Sequence, residues 1–458
     1  IPELKVAGRT SAFAYRNADT EIQTLGEELG VRNVLTGSVR KQGDELRITA
    51  QLARTDSGYQ IWSRSFDGSV DRVFDFQEQI ARDIANALEV SLGPTNANRL
   101  APTLTRSQTA YDAFLQARSL ARRFGAAEKI LATELLEQAV AIDPGFAMAW
   151  AELARTELFV PVSNPDYPVE PHIARAREAA SRALAIDPEL AMGHFAQGLI
   201  QEYELNYAAA IQSFATAHRL EPRNPFLAIR YGYYLALIGQ SDVGAELMAQ
   251  GLRRDPTDAA GIANFGGVKL ASGDAEEAER LVQRSYDLGF LPTGGMLAAL
   301  LSERGENEAA MRVWRRVGKE MPGRYLPEFD SPEGWESLGQ AFLNDDQEAI
   351  QRVTRIFESY FSNPEARANT YRLYTLVQLG QPAEAMRLFL ERPYPINAGF
   401  IFAIWRDLHG FPELRQHEDF PDFARQIGLV EAWDAYGWPP KCRRLPRLSE
   451  ESPEFSCE

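Results

Sequence analysis

The strongest constraint on the fold is a short motif that recurs through the middle of this 458-residue chain. Each copy is an amphipathic stretch that ends in an acidic residue followed by proline. The four prolines are Pro144, Pro188, Pro222 and Pro256, at spacings of 44, 34 and 34 residues. A fixed period of this size predicts an array of similar helical units in which each unit contacts its neighbours.

The first spacing is ten residues longer than the others. The segment 161–170 reads PVSNPDYPVE and holds three prolines in ten residues, a composition typical of a loop. We therefore predict a loop insertion at 161–170, and removing it restores the 34-residue period.

Small and bulky residues recur at fixed places before each proline, as Ala132, Leu136 and Ala139 do before Pro144. The small residues let two helices approach closely, and the bulky ones fill the gap to the next pair. A 34-residue period built from two helices resembles the tetratricopeptide repeat. Beyond residue 290 the proline spacing drifts, but a glycine followed by an acid-rich helix start persists at 305–310 and 380–385.

The predicted fold is mainly α, a tetratricopeptide-repeat solenoid of about six or seven repeats preceded by a small α/β domain. Residues 1–93 alternate apolar and polar side chains in strand-like runs and predict the order β-α-β-β-β-α. The remaining boundaries are a linker at 94–106, the solenoid at 107–392, capping helices at 393–440 and a polar tail at 441–458.

The N-terminal segment resembles a bacterial α/β module shared by the N-terminal domain of the Tol translocation propeller protein and by a flagellar outer-membrane lipoprotein family. The matching stretches are 6–16, 25–52 and 58–69. The strand and helix that open the family module have no counterpart here, so the domain is expected to lack its first βα unit. This resemblance implies a multidomain regulator in which a winged-helix or class III nucleotide cyclase domain precedes the module and repeats follow it.

The charge balance excludes some partners. The chain carries 48 basic and 64 acidic residues, a net charge of −16, which argues against a broad surface for nucleic acid or anionic membrane. No apolar run is long enough for a transmembrane helix. Two cysteines rule out a scaffold built on disulfides, and Cys442 and Cys457 are left as either a disulfide pair or two free thiols.

No catalytic motif is present: HExxH, GxSxG and the phosphate-binding GxxxxGK[ST] are all missing from the sequence. The five histidines have no metal-ligand spacing. His194 occupies the place that Trp150 holds in the preceding repeat, and this equivalence favours a packing role. We therefore predict no enzyme activity, no cofactor and no metal site.

The candidate site is the groove lined by the first helices of the repeats. The side chains predicted to line it are aromatic and apolar with two polar residues among them: Arg155, Phe159, Phe195, Leu199, Glu202, Tyr203, Phe226 and Tyr233. Such a surface suits a peptide or a helix with aromatic anchors. The alternative is that these side chains pack inside the superhelix or against a returning C-terminus that contains Trp433, Trp438, Pro439 and Pro440.

The predicted function is a non-catalytic interaction module, the sensory or regulatory half of a bacterial signalling protein, with a protein or peptide as partner. The alternative is the C-terminal regulatory region of a winged-helix transcription regulator or a class III adenylate or guanylate cyclase. Direct nucleic-acid binding is not expected, and a homo-oligomer is left open. Location is also left open between the bacterial cytoplasm and the periplasm.

Overall fold

The computed structural model describes most of the chain. The described residues are 7, 12, 15, 20–69, 73–88, 104–121, 126–163, 168–321, 323, 325–363, 366, 368–391, 398–407, 410–445 and 454–458. The first predicted strand, at 4–13, and most of the predicted linker, at 94–106, lie outside them.

The N-terminal domain holds a helix, three strands and a second helix. Their bounds are α1 Ile22–Leu29, β1 Asn33–Gln42, β2 Glu45–Arg54, β3 Gln60–Ser69 and α2 Val73–Ala87. The strands form an antiparallel sheet in the order β1-β2-β3. On one face Leu46, Phe66 and Phe76 form a small buried core between the sheet and α2. This part of the described chain follows the predicted order of elements.

The rest of the chain is a helical solenoid. Within the described residues, sixteen helices form eight consecutive pairs: α3 Gln108–Leu120, α4 Ala126–Ile142, α5 Ala147–Ser163, α6 Glu170–Ile186, α7 Ala191–Tyr203, α8 Tyr207–Leu220, α9 Pro225–Leu237, α10 Ser241–Leu252, α11 Ala259–Ala271, α12 Ala275–Asp287, α13 Gly294–Glu303, α14 Asn307–Glu320, α15 Pro332–Leu343, α16 Gln347–Phe361, α17 Thr370–Gln378 and α18 Pro382–Glu391. The odd-numbered members are the first helices of the pairs.

The turns inside the pairs follow from local chemistry. Gly273 has a φ of 81° and Gly305 a φ of 78°, a left-handed conformation that glycine adopts without strain. The next residue then begins a helix, and the side chain of Asp274 accepts a hydrogen bond from Glu277 N. Asp346 caps α16 in the same way through Ala349 N, so this acidic residue marks a helix start.

Small residues allow the helices of a pair to touch backbone to backbone. A Cβ atom added to Gly232 on α9 would lie 2.5 Å from the carbonyl oxygen of Gly244 on α10, and one added to Gly244 would lie 2.4 Å from Gly232 O. Any side chain at either position would force the two helices apart.

The proline turns are held by side chains that bond to the proline carbonyl. Trp150 Nε1 donates to Pro144 O at 3.0 Å, and His194 Nε2 lies 2.9 Å from Pro188 O. His194 and Trp150 therefore play the same structural role, which explains why the two residue types alternate at one repeat position.

The structure differs from the predicted boundaries of the repeats in two places. Eight helix pairs lie in the described chain between residues 108 and 391, against the six or seven predicted. Two of the later pairs begin after 3₁₀ turns, at Leu291–Thr293 and Pro327–Phe329, rather than after an acid–proline motif. The insertion is also shorter than predicted. Pro161 lies inside α5, which runs to Ser163, and α6 begins at Glu170.

A C-terminal cap follows the last pair, and we use that name for residues 398–445 and 454–458. Its elements are α19 Ala398–Ala403, α20 Phe411–Gln416, α21 Phe420–Gln426, α22 Leu429–Tyr436, β4 Cys442–Arg444 and β5 Phe455–Cys457. The predicted polar tail at 441–458 is wrong in this respect, because β4 and β5 pair and the Cys442–Cys457 disulfide joins them. Two basic residues of this segment are ion-paired within the cap, Lys441 to Asp407 and Arg444 to Asp434.

The cap folds back onto the middle of the solenoid. Trp405 Nε1 donates to Leu237 O at 2.6 Å, and Trp433 Nε1 donates to Ile238 O at 2.8 Å. The C-terminal carbonyls of a helix have no partner inside the helix, so these two indoles satisfy acceptors at the end of α9. Among the described residues no helix has both the length and the apolar character that crossing a membrane requires.

Candidate functional site: the first-helix surface

The predicted groove residues lie on three consecutive first helices, and they differ in exposure. Phe195 and Leu199 are buried, whereas the other six are half-buried: Arg155, Phe159, Glu202, Tyr203, Phe226 and Tyr233. We call the surface formed by the odd-numbered helices α3 to α11 the first-helix surface. Its side chains fall into three groups with different surroundings.

The first group is a basic and aromatic cluster on α5. The ring of Phe159 has two cations near it, with Lys129 Nζ 5.8 Å and Arg155 Cζ 5.9 Å from its centroid. Arg155 also makes an ion pair with Glu152 at 2.8 Å. Glu152 in turn lies 3.6 Å from Arg118 on α3, so one carboxylate is shared by two arginines across neighbouring repeats.

Lys129 and Arg118 are the members of this cluster that the sequence did not reveal. Lys129 lies in the first turn of α4, a second helix, whereas the repeat pattern assigns the groove to first helices. Its ammonium donates to Ala121 O. Burial and the nearby Arg155 lower its pKa to about 8, so it remains mostly protonated at pH 7. Lys129, Arg118 and Arg155 thus place three cations around Glu152 in a chain that is acidic as a whole.

The second group is core rather than groove. Phe195 packs against Phe214 and Phe226, with ring centroids 5.5 and 5.1 Å apart. Its neighbour Gly198 admits the Phe214 ring, which would lie 2.5 Å from a Cβ atom at that position. The structure therefore buries Phe195 and Leu199 between repeats. Their apolar character reflects packing along the solenoid, which was the alternative that the sequence left open.

The third group faces the cap. The Tyr233 ring lies 5.2 Å from that of Phe402, so the cap covers this end of the first-helix surface. Glu202 lies beside Tyr234, and desolvation raises the pKa of its carboxyl to about 8. At neutral pH Glu202 is therefore mostly protonated and serves as a neutral hydrogen-bonding group rather than a fixed charge.

The first-helix surface is thus open on α3 and α5 and covered on α9 and α11. The open part combines a half-buried aromatic ring with the half-buried Arg155, which suits an acidic segment with an apolar anchor. No group of three or more His, Cys, Asp or Glu that would hold a metal occurs in the described part of the chain.

Comparison with known proteins finds a curated relative in Rhizobium meliloti (strain 1021). That protein is named "Putative adenylate cyclase 3" and is 30% identical to this chain over 199 residues. The match takes in 43% of this chain and 34% of that protein, so the chain spans about a third of the relative's length. No family model matches the chain.

Among solved structures, the chain is similar to a thermophilic tetratricopeptide-repeat protein of Thermus thermophilus, with 19% identity and a TM-score of 0.35 over 42% of this chain and 98% of that one. It is also similar to PilW, a type IV pilus biogenesis factor, with 18% identity and a TM-score of 0.35 over 47% and 95% of the two chains. The fold of this chain is established by its own paired helices and their 34-residue period.

Proposed function

We propose that this chain is a non-catalytic protein-interaction module whose open first-helix surface binds an acidic segment of a partner protein. The observation that carries the proposal is the Phe159 ring, half-buried and flanked by Lys129 and Arg155. The half-buried ring leaves part of an aromatic face beside the half-buried Arg155 within reach of a partner. An acidic partner would gain from the Arg155 cation and from further burial of the ring, whereas Lys129 is buried and donates to Ala121 O.

The remaining predicted residues contribute to this proposal to different degrees. Tyr203 is half-buried at the end of α7, and we include it in the binding surface beside Arg155 and Phe159. Phe226, Glu202 and Tyr233 line the part that the cap approaches, so a partner would reach them only beside the cap. Phe195 and Leu199 are buried and would support the binding surface by packing beneath its half-buried side chains.

A double variant tests the proposal. Phe159→Ala with Arg155→Ala should weaken capture of a binding partner at least tenfold, because it removes the anchor and one cation. The matched control is Val243→Ala with Arg312→Ala, two exposed residues on second helices. Partners are captured on the immobilised chain from a bacterial lysate, identified by mass spectrometry and re-measured by calorimetry with the purified protein. Equal binding by both double variants would contradict the proposal.

We further propose that the module is the regulatory region of a bacterial signalling protein, and the relative named as an adenylate cyclase supports this. Binding at the first-helix surface would then shift the activity of an output domain elsewhere in the same protein. The test is the coding sequence around this region in its gene. A class III cyclase or winged-helix domain in the same reading frame is expected, and an unrelated domain would argue against this role.

A further inference from the structure

Arg406 is a cation that has no acceptor among the described residues. It follows α19 in the cap and is half-buried, and its Nε atom has neither solvent contact nor a hydrogen-bond partner there. In the same part of the chain its guanidinium makes no ion pair, and it lies over the face of Phe402, 4.9 Å from the ring centroid. A guanidinium has five donors, and leaving the one on Nε unsatisfied away from water is costly.

Two buried arginines of the chain show what a structural role requires. Arg415 donates to Ile404 O at 2.6 Å, to Arg406 O at 3.0 Å and to Asp407 at 2.7 Å. Arg372 donates to Tyr325 O at 2.7 Å and to the Tyr360 hydroxyl at 2.8 Å. Arg406 departs from this pattern, so holding the fold together does not account for it.

The surroundings of Arg406 favour an anion. The phenol groups of Tyr233 on α9 and Tyr374 on α17 lie near enough to interact with its charge. Room for the guanidinium comes from Gly267 on α11, where an added Cβ would lie 2.9 Å from Arg406 Nη2.

The acids described in this region do not neutralise Arg406. Glu202 lies near Tyr233, and Glu303 near Tyr374. Desolvation raises the pKa of both carboxyls, and neither forms an ion pair with Arg406. Arg230 lies near Tyr233 as well and adds positive charge, so the described part of this region carries cations and hydroxyl donors without a fixed counter-charge.

We propose that Arg406 is the anchor of an anion-binding site where the cap meets the first helices α9, α11 and α17. The ligand is a small molecule or segment that carries a carboxylate or a phosphate group. The guanidinium would hold that group through two parallel hydrogen bonds, with the hydroxyls of Tyr233 and Tyr374 as further donors. This site is separate from the Phe159 cluster and does not depend on the function proposed for it.

Calorimetric titration with inorganic phosphate and, separately, with acetate tests the site at constant ionic strength set by chloride. The intact chain should bind one of the two at a single site and gain about 2 °C in melting temperature at saturation. Arg406→Met should lose at least tenfold in affinity, whereas the exposed Arg312→Met should bind as the unmodified chain does. The probe that binds with the higher affinity shows whether the site prefers a phosphate or a carboxylate. Binding of neither probe, or equal binding by Arg406→Met, would overturn the proposal.

Stability without ligand gives an independent measurement. Arg406→Met should leave the melting temperature unchanged or raise it, because it removes an uncompensated charge. Arg415→Met, which removes a guanidinium with several hydrogen bonds, should lower it by several degrees. If the melting temperature of Arg406→Met falls as much as that of Arg415→Met, Arg406 has a structural role, and the proposal is overturned.

Discussion

Replacing Trp433 with alanine should lower the free energy of unfolding by about 4 kcal/mol, the range typical of truncating a large buried aromatic residue. The side chain is fully buried and contacts the rings of Trp405, Trp438 and Phe455 at centroid distances of 5.9, 5.1 and 5.4 Å. It also donates to Ile238 O. The substitution thus removes apolar contacts inside the cap and a hydrogen bond between the cap and α9.

The hydrogen bond and the packing can be separated with two further variants. Trp433→Phe keeps most of the ring but leaves Ile238 O without this donor, and should cost about 1–2 kcal/mol. Trp438→Ala is the matched control. Its indole is half-buried and donates to Asp434 within the cap, so its loss should cost clearly less than that of Trp433.

Urea unfolding followed by circular dichroism gives the free energies, and hydrogen exchange locates the effect. Trp433→Ala should speed amide exchange at the end of α9, near Gly239 and Gln240, where Gln240 Nε2 donates to Gly437 O at 2.5 Å. If Trp433→Ala keeps the stability of the unmodified chain and its amide exchange rates at the end of α9, the contact between the cap and α9 does not stabilise the fold.

The repeats could be predicted because their signals are local. The acid–proline turns and the glycine C-caps each depend on a few neighbouring residues, and the helix pairs occur where those residues place them. The number of pairs was underestimated because α13 and α15 follow 3₁₀ turns, at Leu291–Thr293 and Pro327–Phe329, which carry no acid–proline motif. Pro161 was assigned to a loop because a proline inside a helix is unusual.

The return of the cap depends on contacts that no local pattern encodes. The hydrogen bonds from Trp405 and Trp433 to the end of α9 join residues 168 and 195 positions apart. The aromatic C-terminus suggested such a return as one alternative, but the sequence could not say which helix would receive it. For the same reason Arg406, which falls within the capping helices predicted at 393–440, gave no sign of its unsatisfied guanidinium.

The candidate site combines residues that the repeat positions indicated with others that only packing brings close. Arg155 and Phe159 lie together on α5, and their role in binding stays a prediction. Lys129 was missed because it lies on a second helix, and it meets Phe159 only through the packing of neighbouring pairs. Phe195 was assigned to the groove because its position faces that way in a regular repeat, but Gly198 admits Phe214 and buries it.

A second large effect is expected at Glu157, a fully buried carboxylate that ties α5 to α6. Its oxygens accept from Arg175 Nε at 2.7 Å and Nη2 at 2.9 Å, and one lies 2.5 Å from His172 Nδ1. Glu157→Ala should cost about 3 kcal/mol, because breaking a buried polar network strands the remaining groups. Because the Arg175 side chain is half-exposed, water can replace its hydrogen bonds to Glu157. Most of the loss in the free energy of unfolding therefore comes from His172, which is buried.

The compensating variant tests whether the cost of Glu157→Ala comes from the stranded partner and the space left behind or from the network itself. Glu157→Leu with His172→Leu replaces both buried polar groups by apolar ones of similar size, and should recover most of the stability lost by Glu157→Ala. Glu178→Ala, which removes an exposed carboxylate paired with Arg182 on α6, should change the free energy by less than about 0.5 kcal/mol. Urea unfolding of these variants at pH 7 gives the three values. If Glu157→Ala and the double leucine variant lose equal stability, the hydrogen bonds and charges of the Glu157 network themselves stabilise the fold, and a stranded His172 is not the main cost.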